Sequence, residues 1–185
     1  GKREGIPWLG MPIAELESLD RVLVIGSFLR KEAPLVAHRL RQAAKRGAQV
    51  HMLHSVDDDW LMPIASRKVV APSQLAGAIP GFQEVLKTGK NAAVLIGNFA
   101  QQHPQAAQIH AAAQALGFKV GFIGEAANSV GGYVAGLPTA TVAQVARKKA
   151  LVLLNVEPLL DLADPQAAQG AEFTVMLTPW KPAVD

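Results

Sequence analysis

The 185-residue chain contains no cysteine. It can therefore form no disulfide, ligate no thiolate-bound iron–sulfur cluster and build no zinc site of the cysteine type. Aromatic residues are scarce, and Tyr133 is the only tyrosine. Neither charge dominates: 18 Lys and Arg against 15 Asp and Glu leave a formal +3. That excess is too small for the clustered basic face with interleaved aromatics that a nucleic-acid partner requires, so none is expected. The apolar runs at Val22–Ile25, Ala92–Ile96 and Leu151–Leu154 fall far below the roughly 18 to 20 residues that cross a bilayer, so no membrane insertion is expected either. The first five residues lack a signal-peptide core and the chain opens without Met, which points to an excised or processed piece of cytoplasmic type. Dinucleotide and nucleotide-triphosphate fingerprints, Gly-x-Gly-x-x-Gly and the Walker loop, are missing. No serine stands in a nucleophile elbow; Ser129 has only the later of the two glycines, Gly131.

What the chain does contain is a repeated unit: a short apolar run, a glycine, then a helical pattern. Arg21–Ile25 is apolar on both faces, as a strand inside a parallel sheet must be, and ends at Gly26-Ser27. A helix is expected from Lys31 to Arg46, with Leu35, Val36, Leu40, Ala43 and Ala44 at helical spacing and Gly47 closing it. Its basic residues, Arg39, Arg41, Lys45 and Arg46, read as an outer face opposing the helix dipole. Further strands are expected at Gln49–Leu53, Asn91–Ile96, Lys119–Ile123, Ala150–Leu154 and Phe173–Leu177, with a short one at Lys68–Val70. Strands separated by helices or long crossovers argue for an α/β fold: a Rossmann-like open, mainly parallel sheet of about five to six strands with helices on both faces. Residues 1–20 read as a lead-in packed on the edge, and residues 21–185 as a single domain. Ligands of such sheets bind beyond the carboxyl ends of the strands, so the loops after Ile25, Ile96, Ile123 and Leu154 are the candidate functional ones.

Within those loops Gly26-Ser27-Phe28-Leu29-Arg30 opens onto a helix start, where backbone N–H groups attract anions, or serves simply as a tight turn. His51 and His54, followed by Asp57, Asp58 and Asp59, supply metal-ligand chemistry. Their spacing puts the imidazoles on opposite faces of an extended chain and the carboxylates in a loop, so a solvated loop is the reading and no metal site is expected. The most distinctive run is Glu125-Ala126-Ala127-Asn128-Ser129-Val130-Gly131-Gly132. Its small residues permit close backbone approach, and Asn128 and Ser129 offer directed hydrogen bonds. A ligand cradle, a packing surface and a compact loop all satisfy that pattern.

Val22-Leu23-Val24-Ile25-Gly26-Ser27 followed by Leu29-Arg30-Lys31-Glu32-Ala33-Pro34, and Leu40-Arg41-Gln42-Ala43 followed by Lys45-Arg46-Gly47-Ala48-Gln49-Val50, resemble the molybdopterin oxidoreductase superfamily. Three stretches are similar to the large iron–sulfur (G) subunit of bacterial NADH-quinone oxidoreductase, respiratory complex I. They are Arg30-Lys31-Glu32-Ala33-Pro34, the strand Val94-Leu95-Ile96-Gly97-Asn98 with His103-Pro104, and the Asn128-Ser129-Val130-Gly131 loop. Ala126 stands where that subunit's pattern has glycine. Arg3-Glu4-Gly5-Ile6-Pro7-Trp8 is in keeping with the same subunit, and the last thirty or so residues match weakly.

The resemblance implies that catalytic relatives grip a molybdenum-bound pterin dinucleotide with their strand-end loops. In the complex I subunit, electrons pass instead through iron–sulfur clusters ligated elsewhere in the chain. It implies a structural piece without catalytic residues or a cofactor of its own. Its partners are then other domains of the same subunit and neighbouring complex I subunits, in the peripheral arm on the cytoplasmic side of the inner membrane. The alternative is a nucleotide- or pterin-binding module. Either way the cofactor-facing positions are Gly26, Ser27, Gly97, Asn98, Asn128 and Ser129, in the structural case as vestiges.

Overall fold

Apolar residues at successive positions of a parallel strand serve two cores at once, because alternate side chains point to opposite faces. The computed structural model, which describes residues 6–124, 126–136, 142–162 and 164–180, has that arrangement. In β1 (Arg21–Ile25), Val22 and Val24 enter one core while Leu23 and Ile25 enter the other. Two short helices follow, α1 (Leu29–Glu32) and α2 (Pro34–Lys45). The single helix expected from Lys31 to Arg46 is thus interrupted. Ala33 takes φ −140° and ψ 66°, because a residue preceding proline is pushed out of the helical region, and Pro34 restarts the helix at its first position. The buried stripe of α2 runs through Val36, Ala37, Leu40, Ala43 and Ala44, leaving Leu35 exposed.

The chain then forms β2 (Gln49–His54) and β3 (Ser66–Val69), each moving one place outward. All four residues of β3 are exposed, and Arg67 and Lys68 on it are the kind of charge that blunts an edge strand. The return path runs through α3 (Leu75–Ala78), a 3₁₀ turn at Ile79–Phe82 and α4 (Gln83–Lys87), burying Leu75, Ile79, Phe82 and Leu86. It leads to β4 (Ala92–Ile96) on the other side of β1. Next come α5 (Asn98–Gln101), α6 (Ala106–Ala115) and β5 (Lys119–Phe122). The sheet order is β3-β2-β1-β4-β5, every pair parallel, with Val22 opposite Val50 on one side and Ala93 on the other. Helices α1 and α2 cover one face; α3, α4 and α6 cover the other. The expected open α/β sheet is the one observed.

The lead-in reaches this sheet at two places. The Phe122 amide donates to the Trp8 carbonyl at 2.8 Å, running alongside the β5 edge. The Leu9 carbonyl oxygen passes so close to Gly121 that a Cβ there would meet it at 2.0 Å. Further on, a 3₁₀ helix at Ile13–Ser18 buries Leu16 against α2, with Leu19 beside it. Glu17 on that turn is held by both Arg39 and Arg46, so two of the cations read as the outer face of this helix also carry an acidic partner.

By contact density the chain divides into Gly1–Val134, which holds the five-stranded sheet, and Ala135–Asp185. The second unit comprises α8 (Val142–Val145), β6 (Ala150–Leu154), α9 (Pro158–Asp161), a 3₁₀ turn at Pro165–Ala168 and β7 (Phe173–Leu177), after α7 (Ser129–Val134) closes the first. Among the described residues, the last two strands pair only with each other, in parallel. Apolar pattern marks a strand but says nothing of its neighbour, which is why they were expected in the main sheet. Glu125 and residues 137–139 of the small-residue loop, and residues 1–5 of the lead-in, lie outside the described residues.

Candidate functional site

The strand order reverses between β1 and β4, so the crevice of the fold lies at their carboxyl ends, between Gly26-Ser27 and Gly97-Asn98. Four of the six candidate positions are therefore brought together. The contact is close: the Gly97 amide donates to the Ile25 carbonyl at 2.8 Å, and the Ala100 amide to the Gly26 carbonyl at 3.2 Å. Gly26 has φ +56°, a conformation that favours glycine, and a Cβ on it would lie 2.7 Å from the Ala100 Cβ. A Cβ on Gly97 would lie 2.3 Å from the Ser27 Cβ and 2.5 Å from the Gly26 carbonyl oxygen. Both glycines are needed so that the chain can approach itself.

Ser27 is fully buried and its hydroxyl donates to Glu32 Oε2 at 3.3 Å, which fastens the β1 loop to α1. Asn98 begins α5. On the same short helix, Gln101 sends its amide nitrogen to the Ile96 carbonyl at 3.1 Å and the Ile123 carbonyl at 2.8 Å, tying the ends of β4 and β5 together. Nothing in the sequence pattern singled Gln101 out.

The Ser129 hydroxyl and the Asn128 backbone are engaged within their own turn. The Ala126 amide donates to the Ser129 hydroxyl at 3.0 Å, and the Gly132 amide to the Asn128 carbonyl at 2.9 Å. The Asn128 side chain lies over Gly131, where a Cβ would meet its Oδ1 at 2.0 Å. That turn starts α7.

The region after β2 departs from the expected solvated loop. His51 and His54 both lie on the strand and both are buried. The His51 Nδ1 pairs with the Ser66 hydroxyl at 2.8 Å. The His54 Nδ1 accepts from the Ser55 and Val56 amides at 2.8 and 3.0 Å, which leaves the proton of the neutral ring on Nε2. Its ring stacks on Phe99 at 4.9 Å between centroids and lies 4.7 Å from Phe28, so rings from the β1 loop, β2 and α5 meet at the crevice. Burial pushes the His54 imidazole below its ordinary pKa, with Asp58 opposing; burial and then Arg21 do the same to His51. The three carboxylates diverge: Asp57 pairs with Arg67 at 3.0 Å, the largely buried Asp58 with Lys31 at 3.7 Å, and Asp59 accepts from the Leu61 amide at 2.9 Å. Among the described residues no group of three or more His, Asp or Glu side chains is placed to hold a metal ion. Four buried polar atoms here have no protein partner: His54 Nε2, Ser55 Oγ, Asp58 Oδ2 and Trp60 Nε1.

Beyond Leu154, a cleft of about 560 Å³ lies between the β6–β7 pair and the turns that cover it, lined by Leu153, Pro158, Pro165, Gln169, Thr174 and Met176 among others. Among the described residues, no ionisable side chain lines it.

A parallel sheet covered on both faces, with its loops meeting at a switch point, defines an α/β protein of the Rossmann-like class. Within that class the molybdopterin oxidoreductase family model matches residues 3–178, and the chain belongs to that family. Relatives in the family use molybdopterin cofactors. No curated protein matches the chain. No helix of the described residues is long and apolar enough to cross a membrane.

At the β1 and β4 loops the two glycines do not leave their backbone open to such a cofactor. The space a backbone-hugging phosphate would need beside Gly26 and Gly97 is filled by Ala100 and Ser27, and the Ser27 hydroxyl is turned to Glu32.

Proposed function

We propose that this chain is a non-catalytic structural domain of the large iron–sulfur (G) subunit of bacterial NADH-quinone oxidoreductase, supporting electron transfer carried by clusters elsewhere in the complex. One observation carries this reading: in an oxidoreductase-family fold, Gly26, Ser27, Gly97 and Ala100 pack directly on one another at the β1 and β4 loops, where ligands of such sheets bind. Absence of cysteine supports it, since the chain can ligate no ordinary cluster. The runs Arg30-Lys31-Glu32-Ala33-Pro34 and Asn128-Ser129-Val130-Gly131 supply the resemblance to this subunit. The domain then sits in the peripheral arm on the cytoplasmic side of the membrane, packed on the rest of its subunit and on neighbouring subunits. Peptide mass spectrometry of the NADH-quinone oxidoreductase purified from the source organism tests this: stoichiometric peptides of this chain are expected. Their recovery with a molybdenum-containing enzyme instead would overturn it.

A second reading, a nucleotide- or pterin-binding module, is favoured by one observation, the four unpartnered buried polar atoms between His54 and Trp60. A ligand bound there raises the melting temperature of the chain, and does so further as its concentration rises above the dissociation constant. Titration with guanine and adenine nucleotides and a reduced pterin is expected to produce no shift under the structural reading.

A further inference from the structure

In the second unit, β6 and β7 pair in parallel with Ala150 opposite Phe173, Val152 opposite Val175 and Leu154 opposite Leu177. Paired residues of a parallel ladder share a face, so these six apolar side chains form one surface. The opposite surface, carrying Leu151, Leu153, Thr174 and Met176, turns toward α9 and the Pro165–Ala168 turn. The first surface is bare: Val152 is 68% exposed, Leu154 71%, Phe173 64% and Leu177 52%.

Two physical facts make a bare surface of this kind unusual. Parallel sheets occur almost only with both faces covered by helices, and a two-stranded sheet has too little buried area to stand without such cover. Charge narrows the choice of cover. Immediately before β6 stand Arg147, Lys148 and Lys149, all exposed, against one carboxylate, Glu172, which lies 3.7 Å from Lys149. The amino end of this apolar surface is therefore cationic by two charges. A second copy laid side by side in the same sense would oppose like charges there.

We propose that this face docks an amphipathic helix of the parent assembly, its apolar stripe covering Val152, Leu154, Phe173 and Leu177 and its carboxylates meeting Arg147, Lys148 and Lys149. The inference rests on the reading of the chain as a structural domain of complex I. The face supplies what such a domain needs, a surface by which it is held.

Because the chain has no cysteine of its own, Val152→Cys and Leu154→Cys each introduce a unique thiol at an exposed position. Maleimide labelling of the peptide carrying that thiol is followed by mass spectrometry, in the isolated chain and in the purified complex. Labelling at least tenfold slower in the complex is expected. Adding Arg147→Glu, Lys148→Glu and Lys149→Glu to the Val152→Cys chain is expected to restore most of the labelling. Equal rates in complex and isolated chain would overturn the docking face. Protection untouched by the charge reversals would overturn its acidic partner, and protection that grows with the concentration of the isolated chain would mean a second copy instead. If the chain is absent from the purified complex, it is the complex I reading that fails.

Discussion

Gly97 and Gly132 separate two uses of glycine. A methyl group on Gly97 would strike Ser27 and the Gly26 carbonyl, both fixed by the β1 loop, whereas one on Gly132, inside α7, meets nothing within 4 Å. Gly97→Ala is therefore expected to cost about 2–3 kcal/mol, the range of an overpacked core. Gly132→Ala is expected to be neutral or to stabilise by up to about 1 kcal/mol through helix propensity. Urea unfolding followed by the fluorescence of the buried Trp60 checks the first, and circular dichroism the second. The histidines make the same scale pH-dependent. Burial holds His51 and His54 below their ordinary value of 6.5, so the unfolded chain takes up protons before the folded one does. Stability is full above about pH 6.5 and is lost as the pH falls through the depressed folded values. The urea midpoint is expected to be lower at pH 5.5 than at pH 8, and His54→Gln, which cannot charge, is expected to shrink that difference.

Among the elements, the lead-in shows which force dominates. Glu17 is gripped by Arg39 and Arg46, and these cations hold its carboxyl below the usual carboxylate range, yet all three side chains stay partly open to solvent. Ion pairs open to solvent contribute little, because water and salt screen them. Leu16, one residue before it, is completely buried against α2, and truncating such a side chain costs about 2–5 kcal/mol. Leu16→Ala is thus expected to release the 3₁₀ turn, read as lost amide hydrogen-exchange protection across residues 13–19, while Glu17→Gln leaves that protection nearly intact. The lead-in was legible as an edge-packing segment, but its anchor was not. Arg39 lies on α2 and Arg46 caps its end, seven residues on, and only the fold brings Glu17 to both.

For the whole molecule, the two units differ in what they bury. Residues 1–134 contain the five-stranded sheet and both of its cores, enough for a self-sufficient α/β domain. Residues 135–185 have one two-stranded sheet with a bare apolar face. The fragment 1–134 is expected to unfold cooperatively, with far-UV circular dichroism typical of an α/β protein. The fragment 135–185 is expected to show no cooperative transition. A sharp melt of the shorter fragment would mean that its single covered face suffices.

Local pattern by itself determined the strands, the parallel sense and the strand-end loops, because apolar runs broken by glycine and helical spacing are properties of neighbouring residues. It also determined that thiolate chemistry is excluded, since that needs only a count of cysteines. Tertiary structure alone decided that β6 and β7 form their own sheet, that His54 is clasped by Phe28 and Phe99, and that Gly26 and Gly97 serve each other. Those facts depend on pairs of residues far apart in the chain, and no periodicity within one segment encodes which distant segment will lie against it.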